Sequence, residues 1–308
     1  MDFFVNWLSS TPMFSVPLIL AALGLIINER AGVINLGAEG IMLCGALFCI
    51  VGFFNFYENI YIALIVGALS GALVSVIFAI LVVVFRTNQV VTGVTFVFLG
   101  YGLTGLIGIK WANKTVPGIN SLEIPFLHEI PVIGRIFFNH DFMIYLTIIF
   151  VFLLWYFINK TRSGLILRAV GENPEAVDAN GHNVLLYRFL AVVFGGFFIG
   201  LAGSYLSLAS AKIFVFEMTQ GRGWIAIALV IFARWIPLRV VFGGILFGSI
   251  EALIPRVMAA GIPLPQYYLL MTPYLATLFV LIYAAIRYKD GQENPSSLGI
   301  PYIRQDRT

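Results

Sequence analysis

The sequence predicts an all-α polytopic membrane protein, a bundle of about nine transmembrane helices (eight to ten) with one short helix outside the membrane. Of its 308 residues, 60% are hydrophobic and 11% are charged, whereas a soluble domain carries about a quarter charged residues. The apolar residues form runs of about 20, the length that a bilayer requires. The basic residues are dispersed rather than gathered into a patch, so the net charge of +3 does not indicate nucleic-acid binding.

Nine apolar runs are predicted to cross the membrane. They cover residues 12–28, 34–54, 61–85, 89–109, 141–158, 185–208, 217–234, 239–257 and 268–287. The run 217–234 is the weakest because Gly221, Arg222 and Gly223 interrupt it, and a broken or re-entrant helix is the alternative there. The first run is interpreted as a retained span and not as a signal peptide, because no Lys or Arg precedes Arg30.

The distribution of basic residues favours one orientation of this bundle by the positive-inside rule. With the loop at about 159–184 in the cytoplasm, twelve basic residues lie inside and at most six lie outside or near the outer membrane edge. The N-terminus is therefore expected outside and the C-terminus in the cytoplasm. The chain is expected to form one membrane domain over 1–290. Its Pro- and Gly-rich outer loop at about 110–140 is expected to be ordered by turns and to suit docking, and the cytoplasmic tail over 291–308 is polar and predicted to be irregular.

The loop at about 159–184 is a polar segment between two hydrophobic runs, and it is predicted to contain a short capped helix. Asn173 is a suitable N-cap, Pro174 fits the first helical position and Glu175 suits the positive N-terminal end. Gly181 can supply the left-handed residue that ends the helix. A helix of roughly two turns is too short to be stable alone in water, so a partner is expected to dock on it.

Polar side chains inside the spans are the candidates for function, because an ionisable group in hydrocarbon costs a few kcal/mol and normally faces the bundle interior or a water-filled path. Glu39 and Glu251 are such groups, and Asn35 is predicted to share a helix face with Glu39, four residues on. Asn88 and Gln89 open the fourth span at its inner end. Glu39 is open to two interpretations, a path-lining group or an interior hydrogen-bonding group, and for Glu251 the structural role is favoured.

Small residues in the spans predict close helix packing. Glycines four residues apart let helices approach closely in lipid, and they favour packing within one bundle over dimerisation. Cys44 and Cys49 lie in an apolar run and are interpreted as small packed side chains rather than as a disulfide or metal site. The glycine pairs are Gly67/Gly71, Gly196/Gly200 and Gly244/Gly248.

The motifs do not indicate an enzyme. The three histidines fall in predicted loops without the His-Glu-x-x-His spacing of a zinc site, and no Gly-x-Ser-x-Gly elbow occurs. The sequence also contains no Gly-x4-Gly-Lys-Ser/Thr phosphate loop. The chain is therefore not expected to hydrolyse ATP, or to bind a metal or cofactor itself.

Five stretches of the chain together carry a family resemblance. They are ERAGVINLGAEGI at 29–41, GLILRAVGENPEA at 164–176, MTQGRGWIAIALVIF at 218–232, GGILFGSIEAL at 243–253 and LMTPYL at 270–275. In this order and spacing they resemble the membrane permeases of ATP-binding-cassette (ABC) importers, in the branch that serves simple sugars, nucleosides and branched-chain amino acids. The likeness runs from about residue 15 to 285, and the stretches at 30–40 and 221–226 look most like nucleoside permeases.

This resemblance implies a permease subunit of the bacterial plasma (inner) membrane that works by alternating access. Separate ATPase subunits would bind ATP and Mg²⁺, an extracytoplasmic binding lipoprotein would deliver the nucleoside, and a second, related but different permease chain would complete the path through the membrane lipid. The short helix would be the coupling helix that seats in a groove of the ATPase. The expected coupling residues are Glu172, Asn173, Pro174, Glu175, Ala176 and Gly181. The expected path residues are Asn35, Glu39, Asn88, Gln89 and Glu251.

Two other function classes stay open at this point. A secondary transporter driven by protons or sodium could use Glu39 and Glu251 as ion-coupling carboxylates, but it would leave the capped polar helix unexplained. An intramembrane enzyme would need a catalytic spacing that the sequence does not offer. Among ABC permeases, a simple sugar or a branched-chain amino acid is the main alternative substrate.

Overall fold

The computed structural model describes residues 2–123, 130, 133–259, 261, 266–287 and 294–304. These residues form eleven α-helices and one two-stranded antiparallel sheet. The helices are α1 (Asp2–Arg30), α2 (Ala38–Asn55), α3 (Ile60–Ala79), α4 (Gln89–Gly108), α5 (Phe142–Lys160), α6 (Arg162–Glu172), α7 (Pro174–Ala179), α8 (Val184–Tyr205), α9 (Arg222–Ala233), α10 (Pro237–Ala259) and α11 (Gln266–Arg287). The strands are β1 (Ser121–Glu123) and β2 (Asn139–Asp141). Short π-helical turns follow α3 at Ile80–Val84 and α8 at Leu206–Ser210, and a third precedes β2 at Gly134–Phe138.

Seven of the described helices, namely α1, α2, α3, α4, α5, α8 and α10, are long and apolar enough to cross a membrane. The predicted count of nine is therefore not confirmed. α11 has 22 residues and occupies the interval of the predicted ninth span. α9 has 12 residues, about 18 Å of helix, so the interpretation of 217–234 as a full helical span is wrong and the broken-helix alternative fits.

Polar residues decide where four of these helices begin. Asn59, Asn88, Asp141 and Asn183 each accept a hydrogen bond from a backbone N–H two or three residues further on. Each cap satisfies one or two of the N–H groups that a helix start leaves without an intrahelical partner. The caps fix the starts of α3, α4, α5 and α8, and Asn88 and Gln89 open α4 as predicted.

The centre of the bundle is formed by α1 and α2. In each of them 78% of the most apolar window is buried, compared with 28% in α4 and 33% in α5. α8 packs against α1, α2 and α3 and joins the two central helices into one core. The outward faces of α4 and α5 carry exposed apolar side chains such as Phe98, Leu106 and Phe152, which suit contact with lipid or with another membrane chain.

Glycines set the distance between α3 and α8. A Cβ on Gly71 would lie 2.5 Å from the carbonyl oxygen of Gly196 and 2.6 Å from the Cα of Gly200, so the two backbones touch directly. Gly248 of α10 lies equally close to Ser15 of α1, 2.7 Å from its backbone nitrogen. The predicted close packing of helices within one bundle is confirmed for Gly71 against Gly196 and Gly200, and for Gly248 against Ser15. Cys44 and Cys49 are buried and free, as predicted.

The loop at about 110–140 forms more than the turns expected from its composition. β1 and β2 pair antiparallel, with Leu122 opposite His140, and Thr115 bridges to Ile213. The proline positions 125 and 131, which contributed to the turn prediction, lie outside the described residues.

One end of the bundle carries α6 and α7 and is named the α7 end below. α1 ends there, since the carbonyl of its last residue, Arg30, lies against Gly171 of α6. α9 also ends there, where the indole Nε1 of Trp235 donates to the Glu29 carboxylate over 2.6 Å. The C-terminal ends of α1 and α9 therefore lie at the α7 end, and the positions of other residues along the bundle are described relative to this end.

Candidate functional site

The segment 31–37 carries the chain from the end of α1 to the start of α2 without helical structure. Gln89 holds it in place, because its Oε1 accepts from the backbone N–H of Ile34 at 2.8 Å. The Oδ1 of Asn35 accepts from the backbone N–H of Gly37 at 3.0 Å. Asn35 therefore lies before α2 and does not share a helix face with Glu39. That prediction is wrong, because the apolar run 34–54 gave no signal that its first turn is irregular.

α9 begins inside the bundle and not at its surface. Its last turn lies at the α7 end, and its 12 residues place Arg222 about 18 Å from there. A hydrocarbon core is about 30 Å thick, so α9 is too short to reach the opposite end of the bundle. The backbone N–H groups at the N-terminal end of α9 have no intrahelical partners and must be satisfied in the interior.

Glu39 satisfies two of these N–H groups. Its carboxylate accepts from the backbone N–H of Gly221 at 2.7 Å and from that of Gly223 at 2.6 Å, and the side chain is fully buried. The negative charge also lies at the positive end of the α9 dipole. Both glycines are required, since Gly221 has φ +83° and a Cβ on Gly223 would lie 2.5 Å from the Glu39 backbone nitrogen.

Arg222 and Glu251 form a second interaction at the same place. The guanidinium Nε lies 2.9 Å from Glu251 Oε2, and both side chains are nearly buried, at 15% and 6% exposure. Arg222 Nη1 also donates to the carbonyls of Met218 and Thr219, at 3.2 and 3.3 Å. The pair joins α9 to α10. Sequence reasoning missed this partnership, although an arginine inside an apolar run needs a buried carboxylate partner.

A cavity of about 380 Å³ opens beside this pair. The hydroxyl of Tyr274 on α11 donates to the carbonyl of Gln220 at 2.6 Å and closes one side. The lining residues are Phe14, Gln220, Arg222, Ile225, Glu251, Ile254, Pro255, Pro273 and Tyr274. We name Glu39, Gln220, Arg222, Glu251 and Tyr274 the α9 cluster. It brings together two of the five predicted path residues, while Asn35, Asn88 and Gln89 lie nearer the α7 end.

The predicted capped helix is present as α7. The Oδ1 of Asn173 accepts from the backbone N–H of Ala176 at 3.0 Å, and Pro174 takes the first helical position. Gly181 follows the C-cap with φ +83°. Glu175 is exposed, and Val177 is the buried residue of the helix. The local structure is thus confirmed, and the docking of a partner on it stays a prediction.

α6 precedes α7 and was not predicted as a separate helix. Thr161 caps it by accepting from the backbone N–H of Gly164 at 3.0 Å. Gly164, Leu167, Val170 and Gly171 are buried along one face, a spacing typical of an amphipathic helix. That spacing and the threonine cap could have predicted α6. Because α6 ends at Glu172, the turn into α7 is short and the two helices are fixed relative to each other.

Glu172, a predicted coupling residue, is bound to the C-terminal segment. Its Oε2 accepts from the backbone N–H of Ser296 at 3.2 Å and from the Ser296 hydroxyl at 2.9 Å. Of the other predicted coupling residues, Asn173, Glu175, Ala176 and Gly181 are exposed and Pro174 is half-buried. Among the residues that the structure describes, no three His, Cys, Asp or Glu side chains are grouped as a metal site would require.

The comparisons with known proteins agree with a membrane-transport subunit. A family model described as the permease component of the branched-chain amino acid transport system matches residues 8–283. The chain belongs to this family of ABC transporter permeases, multi-pass membrane subunits that work with ATPase and binding-protein partners.

Several named relatives align with this chain over most of their length. It is 39% identical, over 99% of each chain, to TsgC13 of Haloferax volcanii, an ABC transporter permease provisionally assigned to glucose. It is 33% identical to the guanosine ABC transporter permease NupQ of Bacillus subtilis, over 97% of this chain and 96% of NupQ. It is 34% identical to the nucleoside ABC transporter permease NupC of Lactococcus lactis, over 87% and 89%. A second guanosine permease of Bacillus subtilis, NupP, is 26% identical.

Proposed function

We propose that this chain imports nucleosides as one permease subunit of an ABC transporter in a bacterial plasma membrane. An extracytoplasmic lipoprotein delivers the nucleoside, and separate ATPase subunits, which bind ATP and Mg²⁺, drive the transport. The similarity to NupQ and NupC over most of the chain is the observation that supports a nucleoside as the substrate.

The chemistry of the α9 cluster supports a neutral substrate. The Arg222 charge is compensated by Glu251, and the Glu39 carboxylate is held by two backbone N–H groups. What the cavity then offers is aromatic surface from Phe14 and Tyr274 and the polar side chain of Gln220. A nucleoside carries a flat base and uncharged hydroxyl groups, which suit such a lining better than an ionic substrate does.

The coupling step is assigned to α7. ATP binds preferentially to the closed state of two ATPase subunits, and only such a preference can shift a conformational equilibrium. The movement of the ATPase grooves reaches the bundle through α7, which is tied to α6 and α8 by short turns. The α7 end is accordingly assigned to the cytoplasm and the N-terminus to the outside, as the bias of the basic residues predicts.

The second permease subunit is proposed to be a different, related chain. Bacillus subtilis contains two proteins described as guanosine permeases, and this chain is 33% identical to one and 26% identical to the other. An importer whose two permeases are encoded separately would give such an unequal pair of similarities. Co-purification of a tagged chain would yield a second permease in a ratio of about one to one.

Uptake measurements test this function. Radiolabelled uridine and adenosine are offered to cells that express the chain with its second permease and binding protein, with and without the ATPase. We expect uptake that requires the ATPase and is competed by other nucleosides. Uptake that ignores the ATPase but collapses with the proton gradient would contradict the proposal and make Glu39 and Glu251 the coupling groups of an ion-driven transporter.

Glu175→Arg tests the coupling helix. Reversal of this exposed charge on α7 is expected to abolish uptake while the chain inserts normally, because the ATPase groove no longer accepts the helix. Glu58→Arg, on the exposed α2–α3 turn, is the matched control and should transport normally. Normal uptake in Glu175→Arg at equal expression would refute the assignment of α7.

A hexose is the second candidate substrate, because the similarity to TsgC13 is 39% over the whole chain. Glucose in the same assay distinguishes the two. ATPase-dependent glucose uptake without nucleoside uptake would keep the mechanism and change the substrate class.

A further inference from the structure

The C-terminal segment 297–304 runs alongside α7 from its start to its end. At the first end, the backbone N–H of Ser297 donates to the carbonyl of Gly171 at 2.8 Å. At the other end, Arg304 Nε lies 3.1 Å from the Asp178 carboxylate. Between them Tyr302, 9% exposed, packs with Val177 of α7. The segment is irregular, as the sequence predicts for the tail, but it is fixed to the bundle.

The anchoring bonds reach the membrane core as well as α7. Arg188 of α8 donates through Nη1 to the carbonyl of Ile300 at 2.8 Å. The backbone N–H of Gly299 donates to the Gly32 carbonyl at 3.1 Å. The segment is therefore held at positions 297, 299, 300, 302 and 304 by four parts of the chain, namely the residues after α1, α6, α7 and α8, so its outward side chains have defined places.

Two of the outward side chains are large and apolar. Ile300 is 57% exposed and Ile303 is 60% exposed. Both line a cavity of about 470 Å³ whose other wall is formed by the end of α6 at Glu172 and the start of α7, including Glu175. Carboxylates beside isoleucines make this surface unsuited to lipid hydrocarbon, where an unpaired charge is costly. A protein groove with an apolar pocket and basic or N–H groups at its rim would match it.

We propose that the ATPase subunit binds Ile300 and Ile303 together with α7, as one composite docking surface. The proposal rests on the proposed function, because it extends the surface that α7 offers to the ATPase. Continuity identifies the occupant, since the segment and α7 share the walls of one cavity and any groove that encloses α7 must reach the isoleucines. A second cavity, of about 260 Å³, lies between Arg304 and the residues that follow α7, so the segment borders α7 at both of its ends.

Site-directed photocrosslinking tests the proposal in membranes that contain the assembled transporter. A benzophenone is attached to Ile303→Cys, to Glu175→Cys on α7, and to Tyr57→Cys at the α2–α3 turn, a residue 98% exposed and remote in sequence from α7. The unsubstituted chain is the labelling control, because Cys44 and Cys49 are buried. We expect crosslinks to the ATPase from positions 303 and 175 and none from position 57.

The crosslinking outcomes distinguish the composite docking surface from the proposed role of α7 in binding the ATPase. A crosslink from position 175 without one from position 303 overturns the composite surface and leaves the proposed function standing. Crosslinks from position 303 to lipid alone also overturn it. The absence of an ATPase crosslink from both 175 and 303 overturns the composite surface and the assignment of α7 together.

A binding titration gives the second measurement. In Ile300→Ser/Ile303→Ser the polar hydroxyls replace the apolar contacts, and the apparent Kd for the purified ATPase is expected to rise about tenfold or more, as for central interface residues. Phe56→Ser/Tyr57→Ser, which alters exposed side chains at the α2–α3 turn, should leave the Kd unchanged. An unchanged Kd in the isoleucine variant would overturn the proposal.

Discussion

The guanidinium of Arg222 and the carboxylate of Glu251 form a nearly buried ion pair with an Nε–Oε2 distance of 2.9 Å. The pair lies where α9 begins in the interior of the bundle, one residue from the backbone N–H groups that Glu39 binds. An interrupted helix is tolerated inside a membrane protein only where its free backbone groups find partners. Both glutamates thus stabilise the break before α9. Glu39 of α2 accepts hydrogen bonds from the free backbone N–H groups, and Glu251 of α10 compensates the charge of Arg222.

Removing one member of this ion pair should cost more than removing both. Arg222→Met leaves the Glu251 carboxylate buried and unpaired, and a loss of about 3–5 kcal/mol in the free energy of unfolding is expected. Arg222→Met/Glu251→Met should lose less, because no uncompensated charge remains. Thermal unfolding of the purified chains in detergent measures both. Additive losses in the double variant would contradict the pairing.

Glu39→Gln should weaken the start of α9. The substitution leaves one carbonyl oxygen for two backbone donors, so one of the N–H groups of Gly221 and Gly223 becomes unsatisfied, at a cost of about 1–3 kcal/mol. Hydrogen exchange of residues 219–226 should rise relative to the rest of the bundle. Glu58→Gln, on an exposed turn, is the control. Unchanged exchange in Glu39→Gln would show that the carboxylate is not needed as a cap.

Gly71→Ala should disrupt the bundle although it adds only a methyl group. The new Cβ would lie 2.5 Å from the Gly196 carbonyl oxygen, backbone that has no room to move. We expect a large fall in the yield of folded protein. Gly102→Ala on α4 is the matched variant, because nothing lies within 4 Å of its Cβ position. Equal yields of the two variants would contradict the close approach of α3 and α8.

Tyr302→Ala should release the segment 297–304 from α7. The ring fills a small apolar cluster with Val170, Val177 and Val184, and its loss leaves a cavity there. Limited proteolysis should cut the segment faster, while the melting temperature of the bundle changes little. Tyr302→Phe keeps the ring and should resist proteolysis. Equal rates in the wild type and Tyr302→Ala would refute the anchoring role.

The Tyr302 hydroxyl also makes this contact dependent on pH. Partial burial and the nearby Asp178 carboxylate raise the pKa of Tyr302 above its usual value. Because its pKa is raised, the protonated Tyr302 hydroxyl stabilises the attached segment fully at pH values below the ordinary tyrosine pKa. This contribution to stability is lost as the pH rises through the pKa of Tyr302 in the folded chain. Proteolysis of the segment should therefore accelerate at strongly alkaline pH in the wild type and less in Tyr302→Phe. Equal acceleration in the wild type and in Tyr302→Phe would contradict a pH dependence that arises from the Tyr302 hydroxyl.

The class of protein and much of its local structure follow from the sequence alone. The length of the apolar runs predicts the long helices, because a bilayer sets that length. The caps of α4 and α7 follow from Asn88 and Asn173, since capping is decided by a residue and its near neighbours. The family resemblance also appears in contiguous stretches, and the comparisons confirm it.

How the interrupted helices are completed depends on the packing of distant segments against one another. The partners of Glu39 at Gly221 and Gly223 are more than 180 residues away, and no local pattern specifies such a contact. The apolar run predicts a position on α2 for Asn35, because such a run does not reveal an irregular first turn. The sequence predicts an irregular tail, but the fixed position of the tail beside α7 depends on Gly32, Gly171 and Arg188 from three separate segments. Local order follows from nearby residues, whereas the interior partners of buried polar groups exist only once the helices have packed.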